Sequence, residues 1–346
     1  MKNEEKILKK LLLPETNSYK ANLHCHSTIS DGEWTPEQIK EEYSKRGYSI
    51  VAYTDHSMMI DQSHLTDEGF LALRGFEVGM AQAEKDKTTH TIRTCHICAI
   101  ALDPDNLVRP CFSQKELDYW RYYNKPAVDW VIYDKEKPEF DFFYSPEVIS
   151  KFMQECRELG FFVTYNHPSW SMETSEQFLN YHGMHAVEMC NYGCYVNGYE
   201  DYNPYIYDQI LRGGERIFCI GADDNHNGGN IPERDSFGAF TVIRADSLDY
   251  KTVTDAMLRG DMYASQGPEI HSLYIEDGMV HVTCSPAKRI FVSTEQRYSS
   301  CVYGENGECI TSASFKLPED YGYVRVTVED AEGKHANTRA YFEDEI

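Results

Sequence analysis

Apolar and polar positions switch between two periods along the first two thirds of the chain, and the switches are punctuated. Residues 20–24 and 49–56 are runs of strand formers ending in polar groups. Between them lies a helix pattern with Thr35 as N-cap, Pro36 at the first helical position, Gln38 completing a capping box and Gly47 at its C-terminal end. This predicts a β-α-β unit with polar chemistry at the carboxyl end of both strands. The rhythm recurs: strands at 71–77 and 95–100, a helix from Ser145-Pro146-Glu147 to Gly160, and a strand at 161–168. Further strands follow at 186–191, 216–221 and 237–243, with helices at 204–212 and 248–259, the last closed by Gly260. Residues 3–13 predict a short amphipathic helix ended by Pro14. Polar strand ends all along residues 20–226 favour an α/β barrel of parallel strands, because an open doubly wound sheet concentrates its site at one switch point.

Two stretches depart from this rhythm. Residues 103–145 are rich in aromatic and acidic residues, with prolines at 104, 110, 126 and 138, as in a lid or binding loop inserted near strand ends. After Gly267-Pro268 come short alternating runs at 272–275, 279–284, 289–294, 313–317, 323–329 and 339–342, flanked by glycines. These predict a small antiparallel β-sandwich. The expected organisation is a catalytic unit over 1–267, with the insertion 103–145, and an accessory β-domain over 268–346.

Composition narrows the function. The 346 residues suffice for one large core and a small appended domain. A formal net charge of −23 argues against long nucleic acids, whose phosphates need a Lys/Arg-rich face. It leaves room for a small phosphorylated substrate held through bound cations. Eleven scattered cysteines read as reduced intracellular thiols, and neither a signal-like h-region nor a membrane-length apolar run occurs. A cytoplasmic protein is expected.

The chemistry gathers at the strand ends: His24, His26, Asp31, His56, Glu77, His96, His167, Asp224 and His226. In a strand, residues i and i+2 share a face, so His24 and His26 converge while Cys25 points away. Any one of these histidines alone reads as a hydrogen-bonded polar residue, but six of the thirteen fall at strand ends, and three pieces carry close His-x-His, Asp-His and Asp-x-His spacings. Imidazoles and carboxylates without thiolates suit divalent Zn, Mn or Fe better than Ca or Mg. Nine ligands exceed one tetrahedral centre, so two or three ions are expected. Cys95-x-x-Cys98 lacks a partner pair and reads as two packed thiols. Glu188 and Asn191 close a strand, where a pocket role and a structural role are equally open. Arg234, Arg93 and Arg109 are candidate phosphate contacts, since arginine can grip phosphate bidentately.

The set resembles the polymerase and histidinol phosphatase (PHP) family of metal-dependent phosphoesterases. The matching segments are 24–32 (HCHSTISDG), Thr54-Asp55-His56, Gly75-Phe76-Glu77, His96, Asn166-His167-Pro168 and 221–226 (GADDNH). The resemblance implies a distorted seven-stranded (β/α) barrel and a trinuclear site. One ion would be held by His24, His26, Glu77 and Asp224, and Glu77 would bridge to a second held by His96 and His167. Asp31, His56 and His226 would hold a third. Asp223 beside Asp224 leaves open which carboxylate ligates, with the Asp-x-His spacing favouring Asp224, and Asp55 reads as a group orienting a histidine. The implied chemistry is hydrolysis of a small phosphorylated metabolite or short nucleotide by a metal-bridging hydroxide, the bridging water held by Glu77 and Asp224. A metal-dependent amidohydrolase and a non-catalytic binding module are the alternatives. The first would call for a strand-end lysine, which the pattern does not supply, and the second for a closed, economical site.

Overall fold

A computed structural model describes residues 9–86 and 90–346. Its strands are β1 (Lys10–Leu13), β2 (Asn17–Asn22), β3 (Tyr48–Tyr53), β4 (Leu71–Ala81), β5 (Thr94–Ala101), β6 (Phe161–Tyr165), β7 (Ala186–Asn191), β8 (Phe218–Ala222), β9 (Phe240–Ala245) and β10 (Met262–Ser265). These are followed by β11 (Ile270–Glu276), β12 (Met279–Ala287), β13 (Arg289–Thr294), β14 (Ser299–Tyr303), β15 (Ile310–Lys316), β16 (Tyr323–Glu329), β17 (His335–Thr338) and β18 (Tyr341–Phe342). The helices are α1 (Pro36–Ser44), α2 (Gln114–Tyr122), α3 (Pro146–Glu158), α4 (Ser175–Phe178), α5 (Tyr192–Asn197), α6 (Pro204–Arg212) and α7 (Tyr250–Arg259). None of them is long and apolar enough to cross a membrane.

Local signals decide the helix ends. Thr35 and Gln38 form the reciprocal capping box at α1, Ser145 caps α3 through Val148 N, and Gly260 ends α7 at φ +70°. The strands form a mixed α/β sheet ordered β14-β13-β16-β17-β10-β9-β2-β3-β4-β5-β6-β7-β8, with β18 on β16. The barrel expectation is corrected in two respects. The strands are not all parallel: β2, β3 and β4 run parallel, as do β6, β7 and β8, but β5 is antiparallel to both β4 and β6, and β9 to β2. An antiparallel pair needs only a loop between its strands, a distinction the hydrophobic run of β5 does not carry. Nor does the ladder close from β8 back to β2. Polar side chains fill that seam: Thr241 Oγ1 accepts from Gly221 N at 3.1 Å and donates to Gly221 O at 2.9 Å, and Asn22 Oδ1 accepts from Asp223 N at 3.0 Å. A single parallel bridge, Cys25 with Asn225, joins the two edges.

The amino-terminal helix expectation is also corrected. Residues 3–8 lie outside the described residues, and Lys10–Leu13 form β1, antiparallel to β11 with Leu13 opposite Leu273. Leu12 and Leu13 bury themselves against a sheet distant in sequence, which outweighs their helix propensity. β1, β11, β12 and β15 make a separate four-stranded sheet. Val280, Val282 and Phe315 share one apolar cluster with Ile290, Val292, Val326 and Val328 of the larger sheet. The expected division near 267 falls between β10 and β11, and the larger sheet crosses it where Tyr263 pairs with Thr338. A buried ion pair ties the same regions: Arg325 Nε and Nη2 donate to Asp208 of α6 at 2.8 and 2.7 Å. The 103–145 insertion packs on its own core of Met58, Leu117, Trp120, Ala127, Val128 and Val131.

Asp208→Ala leaves the Arg325 guanidinium buried without its carboxylate. Urea unfolding should show a loss of about 3–5 kcal/mol. A loss under 1 kcal/mol would mean that the pair does not fasten α6 to β16.

Candidate metal centre

The site is organised around Glu77, on β4 where it pairs as an isolated bridge with His56. Its side chain is 1% exposed, and five imidazoles lie against its two oxygens. His24 Nε2 is 3.1 Å away, His26 Nε2 3.4 Å, His56 Nδ1 3.1 Å, His96 Nδ1 3.2 Å and His167 Nε2 3.4 Å. Asp224 Oδ1 lies 3.2 Å from both His24 Nε2 and His26 Nε2. Asp31 joins the outer three residues: its carboxylate is 3.5 Å from His56 Nε2, 3.6 Å from His226 Nε2 and 3.6 Å from His26 Nδ1. All nine sequence candidates therefore meet in one cluster.

Backbone geometry delivers them. Past β2, His26 N donates to Asn225 O at 3.1 Å and Asp224 N to His24 O at 3.0 Å, so the 24–26 and 224–226 segments run side by side. Asp224 at φ +55° and His167 at φ +27° sit in the left-handed region, where a non-glycine residue is strained. Gly79 lies opposite His96 in the β4–β5 pair, and a Cβ built there would come 2.7 Å from His96 Nε2. Gly32 allows a similarly close approach, since its Cβ would lie 2.6 Å from His26 O.

Outer groups fix the ligands. Glu188 is settled as part of the site: Oε1 lies 2.7 Å from His24 Nδ1, and Oε2 accepts from His167 N at 2.8 Å and Asn191 Nδ2 at 2.9 Å. Asn166 Nδ2 donates to Glu77 Oε1 at 2.9 Å. Sequence spacing offered Glu188 only as a possibility and Asn166 only as part of a motif. The Asp223/Asp224 ambiguity resolves geometrically, because Asp223 accepts from Tyr43 Oη, Phe237 N, Gly238 N and Ala239 N, away from the cluster. Asp55 is a correction. Instead of orienting a histidine, it accepts from Ser27 N at 2.7 Å and Ser30 N at 3.1 Å and from both serine hydroxyls, shaping the turn that carries Asp31.

The electrostatics follow from packing. Burial opposes ionisation of Glu77, yet His24, His96 and His56 outweigh it and hold its carboxyl well below the usual range. Burial, with the His26 ring close by, pushes His56 down to about 3. Burial also disfavours the His226 imidazolium, but Asp31 and Asp224 raise it to about 9. The arrangement fits divalent cations. Glu77 Oε2, His26 Nδ1 and His167 Nδ1 are buried without hydrogen-bond partners. Ligand atoms within 4.8 Å of one another form the groups His24/His26/Glu77, His24/His167/Asp224, His56/Glu77/His96 and His26/Asp31/His56/His226.

The cluster floors a cavity of about 510 Å³ whose walls include Trp170, Cys194, Asn197, Arg234 and Asp235. Of the three arginines, Arg234 alone lines this cavity. Arg109 is a correction: it is fully buried and donates from Nη2 to Glu116 at 2.6 Å. Arg93 lines a different depression, with Tyr144 and His182. Cys95 and Cys98 are buried, and burial pushes the Cys98 thiol up to about 11, so both stay protonated packing groups.

No family model matches the chain, and no curated protein does. Solved structures similar to it include a two-domain protein containing a predicted PHP-like metal-dependent phosphoesterase from Bacteroides vulgatus, at 14% identity and TM-score 0.45, over 99% of this chain and 100% of that one. An amidohydrolase from Chromobacterium violaceum, described with bound sulfate and no metal, is also similar, at 16% identity and TM-score 0.39, over 61% of this chain and 89% of that one. With TM-scores below 0.5, the weight rests on the cluster itself.

Gly79→Ala forces the His96 ring aside. Calorimetric titration with Mn²⁺ should show roughly tenfold weaker binding at one ion class. Unchanged affinity at every class would remove His96 from the ligand set.

Proposed function

We propose that this chain is a metal-dependent phosphoesterase acting on a small phosphorylated metabolite or short nucleotide. The observation that carries the reading is one buried carboxylate, Glu77, set within 3.4 Å of five imidazoles at the floor of an open cavity. His24, His26, Glu77 and Asp224 would hold one ion, His96 and His167 with Glu77 a second, and Asp31, His56 and His226 a third. Two or three such ions, of the Zn, Mn or Fe kind, would supply Lewis acidity toward phosphoryl oxygens and lower the pKa of a water when bound.

The chain's own groups do the rest. Glu77 and Asp224, acceptors only when ionised, orient the attacking water. Arg234, exposed on the cavity wall and without an ion pair among the described residues, grips the free phosphoryl oxygens. The cavity volume suits a metabolite rather than a polymer. Residues 1–267 supply this machinery, and 268–346 serve as the accessory unit. The eleven unpaired cysteines support a cytoplasmic setting.

The purified protein loaded with Mn²⁺ or Zn²⁺ should hydrolyse p-nitrophenyl phosphate or its bis-ester, lose the activity on chelation and regain it on metal return. Failure across a broad panel of monoesters and diesters, with C–N substrates cleaved instead, would transfer the assignment to the amidohydrolases. Glu77→Ala should lose bound metal and turnover together. Full metal content and turnover in that variant would contradict the shared-carboxylate assignment. Arg234→Ala should raise KM with a smaller change in kcat, and an unchanged KM would remove it from substrate binding.

A further inference from the structure

The 103–145 insertion does more than stand beside the cavity. Trp120 of α2, 9% exposed, lies over His56 with ring centroids 5.7 Å apart and planes inclined by 17°. Its indole Nε1 donates to Ser57 Oγ at 3.1 Å, and that hydroxyl donates in turn to Glu116 Oε1 at 2.6 Å. Glu116 Oε2 accepts from the fully buried Arg109 at 2.6 Å. Ser57 directly follows His56, sits at φ +61°, and its own N–H donates to Glu77 O at 2.7 Å. The chain Arg109–Glu116–Ser57–Trp120 therefore begins in the insertion and ends on the ring face of a candidate ligand.

We infer that Trp120 is a positioning residue through which the insertion sets the His56 ring for the ion shared with Asp31 and His226. The inference rests on the metal reading of the cluster. Imidazole ligation requires the ring plane to contain the nitrogen-to-ion direction, so rotation of the ring misdirects its lone pair. His56 Nε2 faces Asp31 at 3.5 Å, so a rotation of the ring would turn that nitrogen away from the outer group. The outer group also has the least enclosure to hold it. The side chains of Asp31 and His226 are 40% and 37% exposed, against 0–4% for His24, His26, Glu77 and His167. A ligand group open to water depends most on support from outside, and the insertion supplies it. Arg109 thus serves the site from beneath, by holding Glu116.

The test is a Mn²⁺ titration of metal-stripped full-length protein, following bound ions by electron paramagnetic resonance and indole quenching by fluorescence. In wild type, filling of the weakest class should bring a quenching phase that Trp120→Phe lacks, separate from that of Trp170, which lies 4.9 Å from the rings of His96 and His167. Trp120→Ala should weaken that class roughly tenfold or more and leave the tighter classes within about twofold. Trp120→Phe, which keeps a ring over His56 but loses the donor to Ser57, should fall between the two. Ser57→Ala should resemble Trp120→Phe, which carries the test if Trp120→Ala does not fold. Wild-type affinities at every class in Trp120→Phe and Ser57→Ala, or in a folded Trp120→Ala, would overturn the inference while leaving the metal reading intact. Wild-type protein that binds no ion would overturn both.

Discussion

Everything in the site follows from one constraint: a carboxylate sealed inside a sheet must be compensated. Glu77, 1% exposed, is largely withdrawn from water although it lines the cavity, and a buried charge of that kind is costly unless it is compensated. Five imidazoles from four separate segments of chain supply the compensation, two of them from the stretch after β2 and the others from the ends of β3 and β6 and from within β5. The same crowding leaves Glu77 Oε2, His26 Nδ1 and His167 Nδ1 without hydrogen-bond partners, and cations would take up their lone pairs. Stability of the sheet and competence of the site are thus one electrostatic problem.

The fold answers it by irregularity. Parallel strands on either side of an antiparallel β5 bring His96 toward Glu77 from a neighbouring strand, and Gly79 makes the space its ring needs. The seam between β8 and β2, bridged by Thr241 and Asn22 side chains in place of a ladder, sets the 24–26 and 224–226 segments side by side. The left-handed backbone at Asp224 and His167 is the local strain that such convergence requires.

The ligand residues were legible because their chemistry is local: His24-x-His26 and Asp224-x-His226 show their shared direction in the spacing alone. Helix ends were legible for the same reason, since Thr35-Pro36 and Gly260 act within one turn. What escaped was non-local. β1 reads as a helix because its strand partner lies more than 250 residues away at β11. β10, β14 and β17 are short and take their definition from the neighbours they pair with. The parallel-barrel reading missed the reversal at β5, because an apolar run carries no sign of strand direction. Arg109 reads in the sequence as a phosphate contact, whereas its guanidinium is buried against Glu116, and nothing in the residues around Trp120 points to His56.

The cluster around Glu77 is expected to hold cations. Diffraction from crystals grown with Mn²⁺, collected at energies either side of the manganese edge, tests it directly. The account predicts anomalous peaks beside Glu77, one shared with His24, His26 and Asp224 and at least one more toward His96 or His56. A well-ordered Glu77 with no anomalous density among those imidazoles would contradict it.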